Sequence, residues 1–184
     1  MQIGNLQVDA VLGDITRQRV DAVVNAASSA LLGGGGVDGA IHAAAGPALL
    51  AECREVRETL YPRGLPTGEA VPTAAGLLRA RWVIHTVGPD ARAGETDPAL
   101  LASCFARSLD VAAELGAESV AFPAVSAGVF GWPAADVAQI AVVAVRDWVE
   151  RRESAAPPSV ALVRFVLFSP EVHDSFERAL SVYR

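Results

Sequence analysis

The chain has 184 residues, of which 52% are hydrophobic and 20% charged, and its formal net charge is −6. This length and composition predict one folded domain over residues 1–184 with a sizeable core, not a disordered chain. The acidic balance, with a pI of about 5.0, argues against a non-specific grip on nucleic acid, because such binding needs a basic surface.

The lack of lysine excludes several enzyme classes. All 15 residues counted as Lys or Arg are Arg, so mechanisms that depend on a P-loop, Schiff-base or kinase lysine are excluded. Any bound phosphate would have to be held by backbone N–H groups or by Arg. The richness in Ala and Arg also favours a plainer explanation, a bacterial-like compositional bias of the genome.

Location and metal chemistry are constrained by what the sequence lacks. No apolar run approaches the roughly 18 residues of a membrane span, and the first five residues, MQIGN, lack the features of a signal peptide. We therefore expect a cytoplasmic protein with no membrane partner. Cys53 and Cys104 are expected to be reduced and buried. Neither they nor the three scattered His residues show metal-ligand spacing, so no metal and no cofactor is predicted.

Strand patterns alternate with helix patterns along the chain. Strands are predicted over residues 6–12, 21–26, 69–73, 81–87, 119–123 and 160–168. Helices are predicted over residues 40–45, 47–60, 98–115, 133–152 and 170–183, with a surface loop over 154–159. This alternation predicts a layered α/β domain with a largely parallel central sheet.

Four consecutive glycines follow the second predicted strand. Gly33, Gly34, Gly35 and Gly36 lie in a segment, here called the glycine loop (residues 27–36), that leads into the first predicted helix. Glycine leaves backbone N–H groups uncovered, and a helix N-terminus adds unpaired N–H groups and a positive dipole end. A phosphate or diphosphate is therefore expected here. The alternative is a flexible linker, but linkers are not usually flanked by a buried strand and an Ala-rich helix.

One acidic residue, Asp38, lies where the anion is expected. Its carboxylate can simply complement the helix dipole, or it can act as a general base on a water beside the anion. His42 lies four residues later and shares a helix face with Asp38 if the helix starts near Val37. It either orients the carboxylate or is a core histidine. His85, at the end of an apolar strand, is interpreted as structural.

A second loop of small residues, here called the serine loop (residues 124–133), follows the strand predicted over 119–123. Ligands of parallel sheets bind outside the carboxyl ends of the strands, so both loops should meet at one edge and clamp a diphosphate from two sides. Ser126 lies in a sequence like a nucleophile elbow that lacks its first glycine. It is therefore interpreted as a hydrogen-bonding loop residue and not as a nucleophile.

Residues 34–39 match G-x-G-x-x-G, the dinucleotide fingerprint. That motif should follow its strand directly and be followed about 20 residues later by an acidic residue at the end of the next strand. Here residues 27–32 intervene, and the later region is a Glu-containing helix pattern. A Rossmann dehydrogenase is therefore the weaker interpretation.

Six motifs lie between residues 25 and 133: NAA at 25–27, LGGGGVDGAIH at 32–42, AAG at 44–46, PTGEA at 66–70, WVIHTVGP at 82–89 and AFPAVSAGVFGWP at 121–133. The first three resemble the first signature of macrodomains of the MacroD type, and the last three resemble the later blocks of that family. The resemblance spans residues 13–133, which is most of the chain. It implies a three-layer α/β/α sandwich with a mixed, largely parallel central sheet that binds ADP-ribose.

The resemblance also implies an activity and residue roles. Known members remove ADP-ribose from acidic side chains, or acetyl from O-acetyl-ADP-ribose, without a metal. The implied partners are thus ADP-ribose, O-acetyl-ADP-ribose or a mono-ADP-ribosylated protein, and a monomer is expected. Asn25 and Asp38 would face the distal ribose near Ser28, with Asp38 assisting water attack. The adenine would contact Asp14 and Ile15 and pack on Phe168, although from the residues alone Asp14 is better explained as a turn or cap residue. The diphosphate and distal ribose would be held by Gly33, Gly34, Gly35, Gly36, Val37, Ser126, Ala127, Gly128, Val129 and Phe130.

Two positions depart from the family pattern. Ser28 stands where the family usually has a second Asn, and serine presents no amide to the ribose hydroxyls; Ala127 replaces a common Thr. Two hypotheses follow: an ester hydrolase acting at the distal ribose, favoured by Asp38, and a reader that binds ADP-ribose without turnover, favoured by Ser28. ADP-ribosylated nucleic acid as a substrate is disfavoured by the acidic pI.

Overall fold

A mixed β-sheet forms the centre of the molecule in the computed structural model, which describes residues 1–152 and 158–184. Its strands are β1 (Gln2–Ile3), β2 (Leu6–Leu12), β3 (Ala22–Ala26), β4 (Ala70–Ala74), β5 (Trp82–Thr86), β6 (Ser119–Phe122) and β7 (Leu162–Leu167). They lie in the order β1-β2-β7-β6-β3-β5-β4. The surface loop predicted over residues 154–159 lies largely outside the described residues.

Parallel pairing dominates the sheet. The four inner pairs, from β2 through β7, β6 and β3 to β5, are all parallel, and β1 and β4 pair antiparallel at the two edges. The predicted largely parallel sheet is therefore confirmed. The sequence did not indicate β1, because two residues are too few to show alternation. The last strand is shorter than predicted and leaves Phe168 outside the sheet.

Helices cover both faces of the sheet. Within the described residues they are α1 (Gly36–Ala45), α2 (Pro47–Thr59), α3 (Pro98–Glu114), α4 (Ala134–Arg152) and α5 (Pro170–Ser181). One face carries α3, α4 and α5 around a core that includes Phe105 and Phe165. The other carries α1 and α2 around Ile41 and Leu49. The fold is thus the expected three-layer α/β/α sandwich, and none of the described helices has the length and apolar character needed to cross a bilayer.

The first helix begins earlier than predicted. Gly36 opens α1, where the sequence indicated residue 40, so that Asp38 falls in the first helical turn. No side chain caps this end, whereas Asp97 and Ser169 cap the N-termini of α3 and α5. The uncapped N-H groups of α1 therefore remain available to another acceptor.

Candidate functional site

Five parallel strands end at the same edge of the sheet, and the predicted site residues lie in the segments that follow four of them. β2 leads into Asp14 and Ile15, β7 into Phe168, β6 into the serine loop, and β3 into the glycine loop. Because β3 and β6 are hydrogen-bonded neighbours that run in the same direction, the two loops leave adjacent strands. The expectation that both loops meet at one edge is therefore met.

The glycine loop presents a run of unpaired backbone donors. Gly33 and Gly36 have φ of 83° and 59°, values that favour glycine over other residues. A β-carbon on Gly39 would overlap the carbonyl oxygen of Gly34, so the first turn of α1 can pack against the loop only without a side chain there. Within the described residues, no backbone acceptor binds the N–H groups of residues 33–38.

The serine loop presents a second run. Ser126 has φ of 67° and is buried, and its hydroxyl has no protein partner in the described parts of the chain. Its carbonyl oxygen accepts from Trp132 N–H over 3.1 Å, so among the described residues Ser126 forms a hydrogen bond through its backbone and not through its side chain. The N–H groups of Gly128, Val129 and Phe130 also have no backbone acceptor among these residues. The loop is fixed from outside, since Phe130 O accepts from Ala91 N–H over 2.9 Å.

Asp38 lies at the base of the glycine loop. Only 8% of its side chain is exposed. Asn25 Nδ2 donates to Asp38 Oδ1 over 2.8 Å, and His42 Nε2 lies 3.5 Å from the same oxygen. The other oxygen, Oδ2, faces the loop, since a β-carbon on Gly34 would lie 3.2 Å from it. One carboxylate oxygen is therefore anchored by Asn25 and the other is turned toward the glycine loop.

A buried chain of hydrogen bonds behind Asp38 was not predicted from the sequence. Asn25 Nδ2 also lies 3.2 Å from His85 Nδ1, and His85 Nε2 lies 2.9 Å from Thr73 Oγ1. The signal was available in outline, because Asn25 and His85 are two polar residues within apolar strands, and β3 and β5 pair them directly. The apolar run before His85 instead suggested a structural residue with no link to Asp38.

The residues expected at the adenine lie at the far end of the same edge. Gly13 N–H donates to Leu167 O over 2.9 Å, which holds Asp14 and Phe168 in neighbouring segments. Phe168 is 93% exposed, while Ile15 is buried. The carboxylate of Asp14 accepts from the Thr16 hydroxyl and N–H, and these bonds lower its pKa. Asp14 therefore caps a short 3-10 helix, as the sequence favoured, and half of its side chain stays exposed.

The two positions that depart from the family pattern lie in the two loops. Ser28 is exposed at the start of the glycine loop, and its carbonyl oxygen accepts from Leu31 N–H over 3.1 Å. In the described parts of the chain its hydroxyl has no hydrogen-bond partner that would hold it toward Asp38. Ala127 lies in the serine loop, where its N–H donates to Ala124 O. The structure thus brings the predicted residues to one edge of the sheet.

Several proteins of similar sequence carry the macro domain name. A macro domain-containing protein of Streptomyces nogalater is 57% identical over 173 residues, covering 94% of this chain and 91% of that protein. A protein of Cronobacter sakazakii named O-acetyl-ADP-ribose deacetylase is 47% identical over 178 residues, covering 96% of this chain and 95% of that protein.

The fold is also similar to a solved macrodomain, that of Oceanobacillus iheyensis. Its structure with ADP superposes with a TM-score of 0.91 at 38% identity, covering 100% of this chain and 94% of that one. A variant of the same protein with ADP-ribose gives a TM-score of 0.90 at 36% identity, covering 100% and 96%. The Macro domain family model matches residues 24–141. More than half of the sequence fits that model, and the chain therefore belongs to the macro domain family.

Proposed function

We propose that this chain binds ADP-ribose along the carboxyl edge of its sheet, with the diphosphate between the glycine loop and the serine loop. The proposal is supported by two runs of backbone N–H groups, at residues 33–38 and 128–130, that have no protein acceptor within the described residues. Such donors suit a diphosphate. They can bind it in a chain that has no lysine to do so. The similar macrodomain of Oceanobacillus iheyensis holds ADP and, as a variant, ADP-ribose.

The order of the strands gives the proposed ligand a direction. The adenine would lie beyond β2 and β7 at Ile15 and Phe168, the diphosphate beyond β6 and β3, and the distal ribose near Asn25 and Asp38. From β2 to β3 is three inter-strand steps, about 14 Å in all at the usual spacing. This distance is long enough for a diphosphate with a sugar on each side.

The proposed reaction is hydrolysis of an ester at the distal ribose. Asp38 accepts a proton from a water, and the water oxygen attacks the carbonyl carbon of the ester. The bond from that carbon to the ribose oxygen then breaks, and the proton passes from Asp38 to the departing ribose oxygen. The products are ADP-ribose and a carboxylic acid, which is either the side chain of a protein Asp or Glu or free acetate. The name of the Cronobacter sakazakii relative, O-acetyl-ADP-ribose deacetylase, supports the acetyl ester as one substrate.

The position of Asp38 carries this proposal. A buried carboxylate would weaken a site whose only function was to bind a diphosphate, because its negative charge would repel the charge of the ligand. Its Oδ1 is already engaged by Asn25, so Oδ2, which faces Gly34, is the oxygen left for a water. A complement to the helix dipole would need neither this anchoring nor this burial.

The test compares Asp38→Asn with Asp136→Asn on glutamate-linked mono-ADP-ribosylated protein and on O-acetyl-ADP-ribose. Asp136 is the matched control, since it is an exposed acidic residue in the first turn of α4. Asp38→Asn should lower turnover roughly 100-fold or more, the usual contribution of a general base, while calorimetry with ADP-ribose shows similar affinity. Full activity of Asp38→Asn would disprove the assignment.

A reader that binds without turnover is the second candidate, and Ser28 favours it. Serine is shorter than the usual Asn of the family and offers no amide, so the distal ribose would be held less firmly. The unmodified chain separates the two functions: a reader binds ADP-ribose and hydrolyses neither ester, whereas an enzyme hydrolyses at least one. If the serine is what prevents turnover in a reader, Ser28→Asn should gain turnover.

Three further properties are the number of domains, the oligomeric state and the cellular location. We propose one domain over residues 1–184 that acts as a monomer in the cytoplasm. Light scattering during size-exclusion chromatography should give a mass near 19.1 kDa. A mass of twice that value would contradict the monomer.

A further inference from the structure

A chain of hydrogen bonds runs from Asp38 into the core. Asn25 Nδ2 lies 2.8 Å from Asp38 Oδ1 and 3.2 Å from His85 Nδ1. His85 Nε2 lies 2.9 Å from Thr73 Oγ1, and the Thr73 hydroxyl donates to Ala74 O over 2.9 Å. Asn25, His85 and Thr73 are at most 3% exposed. This chain of hydrogen bonds is therefore closed to solvent behind Asp38.

One placement of hydrogens gives each contact in this series a donor and an acceptor, while Asn25 Oδ1, which is not part of the series, has no partner among the described residues. The Thr73 hydroxyl has a single hydrogen, which it donates to Ala74 O, so Thr73 Oγ1 accepts from His85 Nε2–H. A neutral imidazole with its hydrogen on Nε2 has a lone pair on Nδ1. His85 Nδ1 therefore accepts from Asn25, whose two amide hydrogens are directed to His85 and to Asp38.

We propose that His85 is a positioning residue for Asp38. Its Nδ1 lone pair fixes the side-chain amide of Asn25 so that an N–H, and not the amide oxygen, faces the carboxylate. With the amide turned over, Asn25 Oδ1 would lie beside Asp38 Oδ1, and two acceptors would oppose each other. The catalytic consequence rests on the proposed function, because the orientation of Asp38 affects turnover only if Asp38 acts on a water.

The hydrogen placement requires a neutral His85. Burial lowers the pKa of His85 from 6.5 to about 3, and the nearby His42 adds to this effect. A protonated ring would carry a hydrogen on Nδ1 and place a donor against the Asn25 amide. Cys53 Sγ lies 3.6 Å from His85 Nε2, and burial raises the pKa of this thiol to about 11. Cys53 therefore stays uncharged and leaves the ring neutral at physiological pH.

A histidine that only filled space would behave differently. Any uncharged side chain of similar size would replace it, whereas the positioning role depends on one acceptor atom at the place of Nδ1. His85→Asn can keep an acceptor there, since its amide oxygen branches from the same carbon as Nδ1. His85→Gln carries its amide one bond further, near the place of Nε2. The two substitutions are therefore a matched pair that differ in where the amide lies.

The first measurement is the tautomer of His85, by NMR of the protein labelled with ¹⁵N at histidine. At pH 7 and at pH 5, the expected spectrum has one ring with its hydrogen on Nε2 and a bare Nδ1. A hydrogen on Nδ1 at either pH would overturn the proposal. In Thr73→Val, which removes the acceptor of the Nε2 hydrogen, this preference should weaken. The measurement needs no turnover, so its result is independent of the proposed hydrolysis.

The second measurement is steady-state kinetics on the ester that the unmodified protein cleaves. His85→Gln should lower kcat roughly tenfold, in line with a small misplacement of a catalytic group, while KM and the affinity for ADP-ribose change little. His85→Asn should retain most of kcat. Equal losses in both variants would show that His85 acts by packing alone. If the unmodified protein cleaves no ester, the proposed hydrolysis fails, and the tautomer alone decides the placement of Asn25.

Discussion

Gly88 and Ser126 are in direct contact, so close that a β-carbon on Gly88 would overlap the Ser126 hydroxyl. Gly88 follows β5 and Ser126 follows β6, the strands on either side of β3. Ser126 has the left-handed backbone conformation, with φ of 67°, that few residues other than glycine adopt. The serine loop can therefore adopt this shape only because Gly88, in a different segment, has no side chain.

Gly88→Ala should distort the serine loop. The added methyl group would overlap the Ser126 hydroxyl and also crowd Val125, and overpacking of this kind usually costs about 1–3 kcal/mol in the free energy of unfolding. Because the loop N–H groups would move, the affinity for ADP-ribose should fall as well. Gly128→Ala is the control for stability, since its β-carbon would meet nothing within 4 Å. Urea unfolding compares the two variants, and equal stability would contradict the contact.

The low pKa of His85 makes stability depend on pH. Its pKa is about 3 in the folded protein, against 6.5 for an unperturbed histidine, so the unfolded chain binds more protons between these values. The contribution of His85 to stability is therefore complete above pH 6.5 and is lost as the pH falls toward 3. At pH 5 the loss should be about 2 kcal/mol.

The measurement compares the free energy of unfolding at pH 7.5 and pH 5 for the unmodified protein and for His85→Asn. The substitution removes the titrating group, so the variant should lose about 2 kcal/mol less over the same interval. Carboxylates contribute equally to both proteins and cancel in the comparison. The same loss in both would mean that His85 is protonated in the folded state.

A cluster around Asp110 holds two helices together far from the ligand edge. Burial raises the pKa of Asp110, but hydrogen bonds from Trp148, Arg152 and Arg107 outweigh it and lower the pKa below its usual value. Asp110 lies on α3, and Trp148 Nε1 and Arg152 reach it from α4, each over 2.9 Å. The stabilisation is therefore present above the usual Asp pKa and is lost as the pH falls through the lowered value.

Asp110→Ala should destabilise the fold by about 1–3 kcal/mol, because it removes the acceptor of the Trp148 N–H and of Arg152 and one of the two carboxylates that Arg107 contacts. The affinity for ADP-ribose should not change, since the cluster joins helices on one face of the sheet. Thermal unfolding and calorimetry test the two statements together. A loss of affinity in a folded variant would contradict the separation between this cluster and the ligand edge.

The sequence predicted the layered fold because its periodic signals were long. α4 shows this well: Ala138, Ala141, Val142, Val145 and Val149 recur at helical spacing, and all are buried. The short elements gave no such signal. The two-residue strand β1 and the early start of α1 at Gly36 depend on pairing and loop packing that no local pattern contains.

The site was predictable in its backbone and less so in its side chains. Runs of glycine and small residues indicated where unpaired N–H groups would lie, because a loop between a strand and a helix is a local feature. The link from Asp38 through Asn25 to His85 is not local: 13 residues separate the first pair and 60 the second. Only the parallel register of β3 with β5 places Asn25 beside His85.

Phe168 is the residue expected to pack on the adenine, and a single substitution tests this role. It is 93% exposed, whereas Phe105, Phe165 and Phe176 pack against one another in the core. An exposed ring contributes little to folding, so Phe168→Ala should leave the stability within about 0.5 kcal/mol of the original. If the ring packs on the adenine, the substitution should cost about 1–3 kcal/mol of binding free energy, which is roughly 5- to 150-fold in affinity for ADP-ribose.

A ligand without the base distinguishes stacking from a general effect on the site. Ribose 5-phosphate lacks the adenosine, so its affinity should be the same before and after Phe168→Ala. Leu60→Ala is the matched variant, because Leu60 is another large apolar side chain that is 64% exposed, at the end of α2. Calorimetry should show the loss only for ADP-ribose and only in Phe168→Ala. Since Phe168 leaves β7 beside Gly13, an unchanged affinity for ADP-ribose would place the adenine away from the β2–β7 end of the sheet and would contradict the direction proposed for the ligand.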